Sequence, residues 1–216
     1  MSFISDANID ANKHRFIELL SSITREGARI KELIEYLNCT DFFTAPASAA
    51  YHMSCKGGLC QHSLNVYDNM IKLYCTVNNS TDVDKSTYDS IKIMSLLHDV
   101  SKIGTYKETF RNEKVYSPQG EKSDNGGRYD WVSVPGYKKR DAKERFIYGN
   151  HEQNAEYITR CYIPLTLEES SGILHHMGGM SWDSAKDAIG EVYTEFPLAL
   201  LLYMSDMLST YISEKE

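Results

Sequence analysis

A histidine and an aspartate stand side by side at the end of an apolar run, in Ser95-Leu96-Leu97-His98-Asp99-Val100-Ser101-Lys102. Burying an imidazole or a carboxylate is costly unless the group is paired or ligated. A divalent metal ion is a natural compensation, because neutral imidazole and carboxylate oxygen are among its ordinary ligands. Lys102, one helical turn after Asp99, adds a positive charge that can contact an anion. The dipeptide alone is a weak signal, so further ligands must come from elsewhere in the chain.

Other segments with helical patterning also carry a residue able to bind a metal. The complete candidate set is His62, His98, Asp99, His151, His176 and Asp206. Each candidate has a simpler interpretation as a hydrogen-bonded core residue. Together they offer four imidazoles and two carboxylates on five helical segments, without cysteine. This composition differs from structural zinc sites and suits one or two divalent first-row ions with positions left open for water and substrate.

Hydrophobic periodicity predicts the helices that must position these residues. The predicted helices are a peripheral one within residues 1–26, one over 27–38, one from Gly57 to about 77, one from about 85 to 103, and others beginning near His151, Thr166 and Pro197. On the fourth helix His98 and Asp99 are expected about 100° apart, so both can reach toward one point between helices. Thr166 and Glu169 form a capping-box pattern. Phe42 and Phe43, in the loop after the second helix, are expected to fill the core.

Residues 105–148 differ from the rest of the chain. Glycines and prolines punctuate this segment, and residues 114–116 and 129–134 have short strand signatures. We expect an inserted β-hairpin or long loop over the site, of the kind that acts as a lid or specificity loop. Its aromatic residues Tyr129, Trp131 and Tyr137 could stack on a base or simply pack the lid. The charged run 138–145 is a solvated segment or a phosphate clamp.

Composition limits the class of protein. The 216 residues are 42% hydrophobic and 25% charged, which suits one soluble globular domain over 1–216. We expect a cytoplasmic protein, because there is no membrane-length apolar run or signal-peptide pattern, and the five cysteines lack a C-x-x-C pair. The net charge of −7 makes long nucleic acid an unlikely partner. The sequence does not indicate the oligomeric state.

The order of these motifs matches a known family. Gly57-Gly58-Leu59-x-x-His62, Leu96-Leu97-His98-Asp99-x-x-Lys102 and the later His151, His176 and Asp206 resemble the HD-domain superfamily of metal-dependent phosphohydrolases. The likeness covers roughly residues 27–212. It is to HD hydrolases of bacteria and their phages and, more distantly, to the HD domain of bacterial 3′–5′ exoribonucleases. Ser101 stands where these relatives more often have glycine or cysteine, and Asn150 stands where they have glycine.

The resemblance implies a fold and a metal site. The implied fold class is all-α, an HD-domain helical bundle carrying the insertion at about 105–148. His62, His98, Asp99 and Asp206 would hold one metal ion, and His151 and His176 a second, with Asp99 bridging. The ion would be Mn, Fe, Mg, Co, Ni or Zn. His176 is favoured over its neighbour His175, because the His-Met-Gly-Gly run matches the relatives.

The resemblance also implies a reaction, the hydrolysis of a nucleotide or other small phosphate ester by a metal-activated water. Asp99 and Lys102 would be the catalytic residues. Lys102, His52 and His175 would contact the substrate, and one of the two histidines could protonate the leaving oxygen. Two alternatives stay open: a 3′–5′ exonuclease acting on short single-stranded nucleic acid, and a non-catalytic HD module that binds a nucleotide.

Overall fold

The computed structural model describes residues 4–145, 149–180 and 189–214. Over these ranges the chain is predominantly helical, with a small antiparallel sheet. The α-helices are α1 (Asp6–Ser21), α2 (Ile30–Asn38), α3 (Gly58–Val77), α4 (Lys85–Leu97), α5 (His151–Tyr162), α6 (Leu167–Leu174), α7 (Ile189–Glu195) and α8 (Pro197–Leu208). Shorter turns are 3-10 helices at Val100–Lys102, Ala142–Glu144 and Gly178–Met180 and a π-helix at Ser209–Ser213.

A continuous apolar core joins the helices. Helices α3, α4, α6 and α8 pack against one another, and α1, α2 and α5 add buried side chains around them. The two phenylalanines after α2 fill this core as predicted: Phe42 is fully buried, with its ring centroid 4.9 Å from that of Phe16. None of the helices in the described ranges is long and apolar enough to cross a membrane.

Side-chain caps determine where two of the site helices begin. Asn150 precedes α5 and accepts hydrogen bonds from the amides of Glu152 and Gln153. This cap makes His151 the first residue of its helix. Thr166 and Glu169 form the predicted capping box at the start of α6. Asn150, which departs from the glycine of the resembled family, therefore has a local structural role in this chain.

The predicted helix from about 85 to 103 is wrong at its end. Helix α4 stops at Leu97, and a 3-10 turn follows Asp99, whose backbone has φ −106° and ψ 9°. The physical reason is a side-chain competitor: Nδ1 of His98 donates to the carbonyl of Ser95, which the Asp99 amide would use in a longer helix. His98 and Asp99 therefore do not lie 100° apart on one continuous helix. The apolar pattern did not reveal this break, because α and 3-10 turns have similar periods.

The predicted inserted β-structure is confirmed and is more regular than the sequence indicated. Strands β1 (Tyr106–Tyr116), β2 (Lys122–Asp124) and β3 (Gly127–Lys139) form an antiparallel sheet in the order β1-β3-β2. The far part of this sheet is exposed: Phe110 and Trp131 retain 73% and 48% of their accessible surface. Residues 146–148, at the end of the predicted segment, lie outside the described ranges.

Candidate metal centre

The six predicted ligands lie together at the centre of the helical body. His62 is in the second turn of α3, and His98 and Asp99 follow α4. His151 begins α5, His176 follows α6, and Asp206 lies in the last turns of α8. Five of the six residues are buried, and His151 is partly exposed. Tertiary packing therefore brings together side chains from five different segments.

The first group of ligands is His62, His98 and Asp206. Nε2 of His62 lies 3.2 Å from Oδ1 of Asp206 and 3.4 Å from Nε2 of His98. One ligand atom from each residue falls within 4.8 Å of the others, which is close enough to share one metal ion. All three residues are buried.

The second group is Asp99, His151 and His176, with ligand atoms equally close. Oδ1 of Asp99 lies 2.7 Å from Nε2 of His151 and 3.7 Å from Nε2 of His176. The other oxygen of Asp99, Oδ2, lies 3.5 Å from Nε2 of His62 in the first group. Asp99 therefore presents one oxygen to each group, as a bridging carboxylate must.

The four histidines share one orientation, with Nε2 toward the cluster and Nδ1 engaged at its outer side. The Nδ1 contacts are the Ser95 carbonyl for His98 at 2.8 Å, the Ile173 carbonyl for His176 at 2.7 Å, the Ser101 hydroxyl for His151 at 2.6 Å and the Glu214 carboxylate for His62 at 3.0 Å. A carbonyl can only accept, so the Nδ1 atoms of His98 and His176 carry protons. In the neutral ring Nε2 then keeps its lone pair for a metal, the usual arrangement of metal-binding histidine.

The distances between facing Nε2 atoms bear on whether a metal ion fits the site. Nε2 of His62 faces Nε2 of His98 at 3.4 Å, and Nε2 of His176 faces Nε2 of His151 at 3.3 Å. Two lone pairs at this distance repel unless a proton or a cation lies between them. A proton on His62 relieves the first pair in the absence of metal, and the donor atoms of both groups are also close enough to hold a divalent ion.

The charge states of the buried histidines suit ligation. Burial lowers the pKa of His98 and lowers that of His176 to about 3, so both rings are neutral near pH 7. Burial also opposes the charge on His62, but Glu214 and Asp206 outweigh it and raise the His62 pKa to about 10. A metal ion bound to His62 would replace that proton.

The carboxylates of the centre stay ionised. Burial alone would raise the pKa of Asp99, but Lys102 and His98 outweigh it, and the pKa lies well below its usual range. Nζ of Lys102 lies 2.5 Å from Oδ2 of Asp99. Asp206 likewise has a lowered pKa, because its contact with His62 outweighs burial. Both aspartates can therefore act as anionic ligands.

Glu214 is a residue of the centre that the sequence analysis missed. Its carboxylate is fully buried, accepts from Nδ1 of His62 and also accepts from the side-chain amide of Asn65 at 2.8 Å. The π-helix places it there, since its amide donates to the Ser209 carbonyl five residues earlier. In the sequence Glu214 looks like part of a charged, solvated C-terminus. Nothing local distinguishes it from Glu216.

The two predicted substrate histidines differ in position. The ring centroid of His52 lies 4.8 Å from that of His62, and its buried Nε2 has no hydrogen-bond partner in the described part of the chain. Burial lowers the His52 pKa to about 4. Nδ1 of His175 instead donates to the Ser171 carbonyl at 2.8 Å, and His175 belongs to neither ligand group. Of the neighbouring pair, His176 is the residue that reaches the cluster.

Ser101 also has a contact that its sequence position did not reveal. Its hydroxyl meets Nδ1 of His151, so the serine that departs from the resembled family holds one of the candidate ligands.

Comparisons of the chain with models of protein families, with curated proteins and with solved structures found no match. The chemistry of the site must therefore be inferred from its own residues.

Proposed function

We propose that this chain is a metal-dependent phosphohydrolase of the HD type, acting on a nucleotide or other small phosphate ester. The observation that supports this proposal best is the common orientation of the four histidines around Asp99 and Asp206. Each histidine turns Nε2 inward while its Nδ1 is occupied. A buried structural network has no need for this pattern, whereas a metal centre requires it.

The residues present would hold one or two divalent ions. His62, His98 and Asp206 would bind one ion and His151 and His176 the other, with Asp99 shared. The mixture of imidazole and carboxylate favours a first-row transition ion such as Mn, Fe, Co, Ni or Zn over Mg, which prefers oxygen ligands. A bound ion supplies a water of lowered pKa and positive charge for phosphoryl oxygens.

Charge balance indicates an anionic substrate. The three buried carboxylates Asp99, Asp206 and Glu214 face one lysine, Lys102, so the centre has two excess negative charges when its histidines are neutral. One divalent ion balances this excess, and a second makes the centre positive. A phosphate group then supplies the missing negative charge.

Two residues have positions suited to the reaction itself. Lys102 is held by Asp99, and an ion that shares the charge of Asp99 would leave Nζ free to contact a phosphoryl oxygen. His52 presents an unpartnered ring nitrogen beside His62. In the proposed hydrolysis a P–O bond forms to the water oxygen, the ester P–O bond breaks and the leaving oxygen takes a proton. With its pKa lowered to about 4, His52 is neutral near pH 7, so its unpartnered Nε2 is placed to take the proton that the attacking water loses and pass it to the leaving oxygen.

The proposal is tested by metal analysis and a substrate panel. Protein purified without chelator is expected to contain one or two transition-metal ions per chain. It should hydrolyse bis-p-nitrophenyl phosphate and a set of mononucleotides and cyclic nucleotides after addition of Mn²⁺, Co²⁺ or Ni²⁺, and lose this activity in EDTA. No bound metal and no hydrolysis with any of the ions would overturn the proposal. Shortening of a single-stranded oligonucleotide from its 3′ end would identify an exonuclease, and nucleotide binding without turnover a binding module.

A further inference from the structure

A cavity lies at the base of the sheet, and none of the six candidate ligands lines it. It measures about 390 Å³ and lies between the base of the β1–β3 pair, the loop after α2 and the segment before α3. Its walls include Tyr106, Tyr137 and Arg140 from the sheet side and Asp41 from the helical body. This volume is within the range of about 300–1,000 Å³ typical of small-molecule sites.

The cavity adjoins the metal centre through Tyr106. This residue begins β1, four positions after Lys102, and its half-buried side chain lines the cavity. The connection between them is a tight turn, because the amide of Thr105 donates to the carbonyl of Lys102 at 3.1 Å. The connecting backbone is tied to the cavity wall, because the amide of Gly104 donates to Oδ1 of Asp41 at 2.8 Å. A substrate held by the centre could therefore extend past Tyr106 into the cavity.

One wall combines aromatic rings with a carboxylate. Glu108 pairs directly with Tyr137 across β1 and β3, and Tyr106 lies two residues from Glu108, so all three side chains are on the same face of the sheet. Tyr106 and Tyr137 are diagonal neighbours on that face, a separation of about 7–8 Å. Such a wall offers flat apolar surface together with a hydrogen-bond acceptor.

The positive side chains of the cavity are not equivalent. Lys56 pairs with Asp6 at 2.8 Å, and Lys107 pairs with Glu144 at 2.6 Å. Nε of Arg140 donates to the Tyr106 carbonyl at 2.9 Å, while its terminal nitrogens have no hydrogen bond or ion pair to the described residues. Arg140 thus keeps a planar set of donors for a ligand.

We propose that this cavity binds the nucleoside part of the substrate, with the base against Tyr106 and Tyr137. This inference rests on the proposed function, since the metal centre would hold the phosphate. Base rings stack on aromatic side chains, and the guanidinium of Arg140 with the carboxylates of Asp41 and Glu108 matches the donors and acceptors on a base edge. The two carboxylates disfavour a bare phosphate here, and the charged walls disfavour a purely aliphatic group.

The test measures binding without catalysis. Adenosine, guanosine, cytidine and uridine are titrated by calorimetry into metal-free protein in EDTA, with inorganic phosphate as the comparison ligand. These nucleosides carry no phosphate, so the negative charge of the metal-free centre does not oppose their binding. At least one nucleoside should bind, with Kd raised about tenfold or more by Tyr137→Leu and by Arg140→Met. Lys138→Met is the matched control: Lys138 follows Tyr137 on β3 but is exposed and does not line the cavity, so Kd should change less than twofold.

The outcomes separate this inference from the proposed function. Hydrolysis of bis-p-nitrophenyl phosphate by metal-loaded wild type, without nucleoside binding by metal-free protein, would overturn the cavity assignment alone. Equal Kd values for wild type, Tyr137→Leu and Arg140→Met would also overturn it. Nucleoside binding that the two variants weaken, in a protein that hydrolyses no ester, would support the cavity and overturn the enzyme. Thermal unfolding of each variant shows whether it is folded, and the wild-type titration decides the matter even if one variant is not.

Discussion

Two buried polar clusters lie in the same helical body and compensate the free-energy cost of burying charged groups in different ways. One is the candidate metal centre. The other, here called the ion-pair network, consists of Arg25, Lys85, Asp89, Lys92 and Glu169. Both clusters place carboxylates in the interior, and both join segments that are distant in the sequence.

The ion-pair network satisfies itself. Glu169 accepts from Arg25 at 2.6 and 2.9 Å, from the Ser90 hydroxyl at 2.7 Å and from the Thr166 amide at 2.8 Å. Asp89 is held in the same way by lysines and by the backbone of Thr24. Every buried anion meets a cation and donors, so the network needs nothing from outside the chain.

The candidate metal centre does not satisfy itself to the same degree. Its three carboxylates meet two cations, Lys102 and the protonated His62, and its Nε2 atoms face one another in pairs. The difference teaches that buried charge alone does not mark a functional site. The mark is an excess of acceptors pointed at a common space.

Matched asparagine substitutions should separate the two clusters most strongly. Asp99→Asn is expected to lower kcat/KM on bis-p-nitrophenyl phosphate by about 10³-fold or more, because it removes the charge shared by both metal positions. Asp89→Asn should leave kcat/KM of the folded protein within about threefold, since Asp89 lies in the self-satisfied network. Comparable losses in both variants would mean that the clusters are not functionally distinct.

Removing a cation should be costly in the network and tolerated in the metal-loaded centre. Arg25→Met leaves the fully buried Glu169 without its ion-pair partner, and the free energy of unfolding should fall by about 3–5 kcal/mol in urea titrations. Lys102→Met at saturating Mn²⁺ should lose clearly less, because the ion takes over the charge of Asp99. Equal losses would indicate that no ion compensates Asp99.

Added metal should stabilise the protein through one cluster only. At a free concentration about 100 times Kd, Mn²⁺ or Co²⁺ is expected to add about 2.7 kcal/mol to the free energy of unfolding. Asp89→Asn should keep this increment, and Asp99→Asn should lose most of it, as measured by melting with and without the ion. An unchanged increment in Asp99→Asn would place the bound ion elsewhere.

Glu214 should affect metal affinity without being a ligand. Glu214→Gln keeps the shape of the side chain but weakens the acceptor that orients His62, and metal affinity should fall about 10- to 100-fold in competition with a chelator. The control is Glu169→Gln, a buried glutamate of the network, which should lower thermal stability and leave metal affinity unchanged. If both variants bind metal as wild type does, Glu214 is only a packing residue.

Acidification should weaken the two clusters in different pH ranges. A metal ion must displace the proton of His62, whose pKa is raised to about 10, so the metal-dependent increment in Tm should shrink steadily as pH falls from 8 to 4. Burial raises the pKa of Glu169, but Arg25 and Ser90 outweigh it and the pKa is lowered. Its contribution is therefore fully present above the ordinary glutamate pKa of about 4.3 and is lost only as pH falls below that value. Melting curves from pH 4 to 8 with and without Mn²⁺ would contradict this if the metal increment persisted at the acidic end.

Much of the fold follows from local pattern. Helix α3 covers nearly the residues its periodicity predicts, and the Thr166–Glu169 capping box begins α6 as expected. These features depend on contacts within one or two helical turns, which the sequence displays directly. The end of α4 was missed because a side chain competes for one backbone carbonyl there, and no periodicity records that competition.

The candidate site was predictable in its residue types and not in its supporting contacts. The six candidate ligands came from unusual polar residues in apolar helices and from the family resemblance. Glu214 gave no local signal, because its contact with His62 joins residues 152 positions apart. The cavity at Arg140 also depends on how the sheet meets the loop after α2, which no single segment specifies.

By itself, the sequence determined that imidazoles and carboxylates would lie on the buried faces or at the ends of helices, because helical periodicity and caps are local properties. Only the tertiary structure decided that Nε2 of each of the four candidate histidines points inward and that Asp99 has one oxygen in each group. Those orientations come from acceptors on neighbouring turns and on distant segments, and from the packing of five segments around one point. Spacing along the chain limits which residues can come into contact, whereas packing decides which of their atoms face one another.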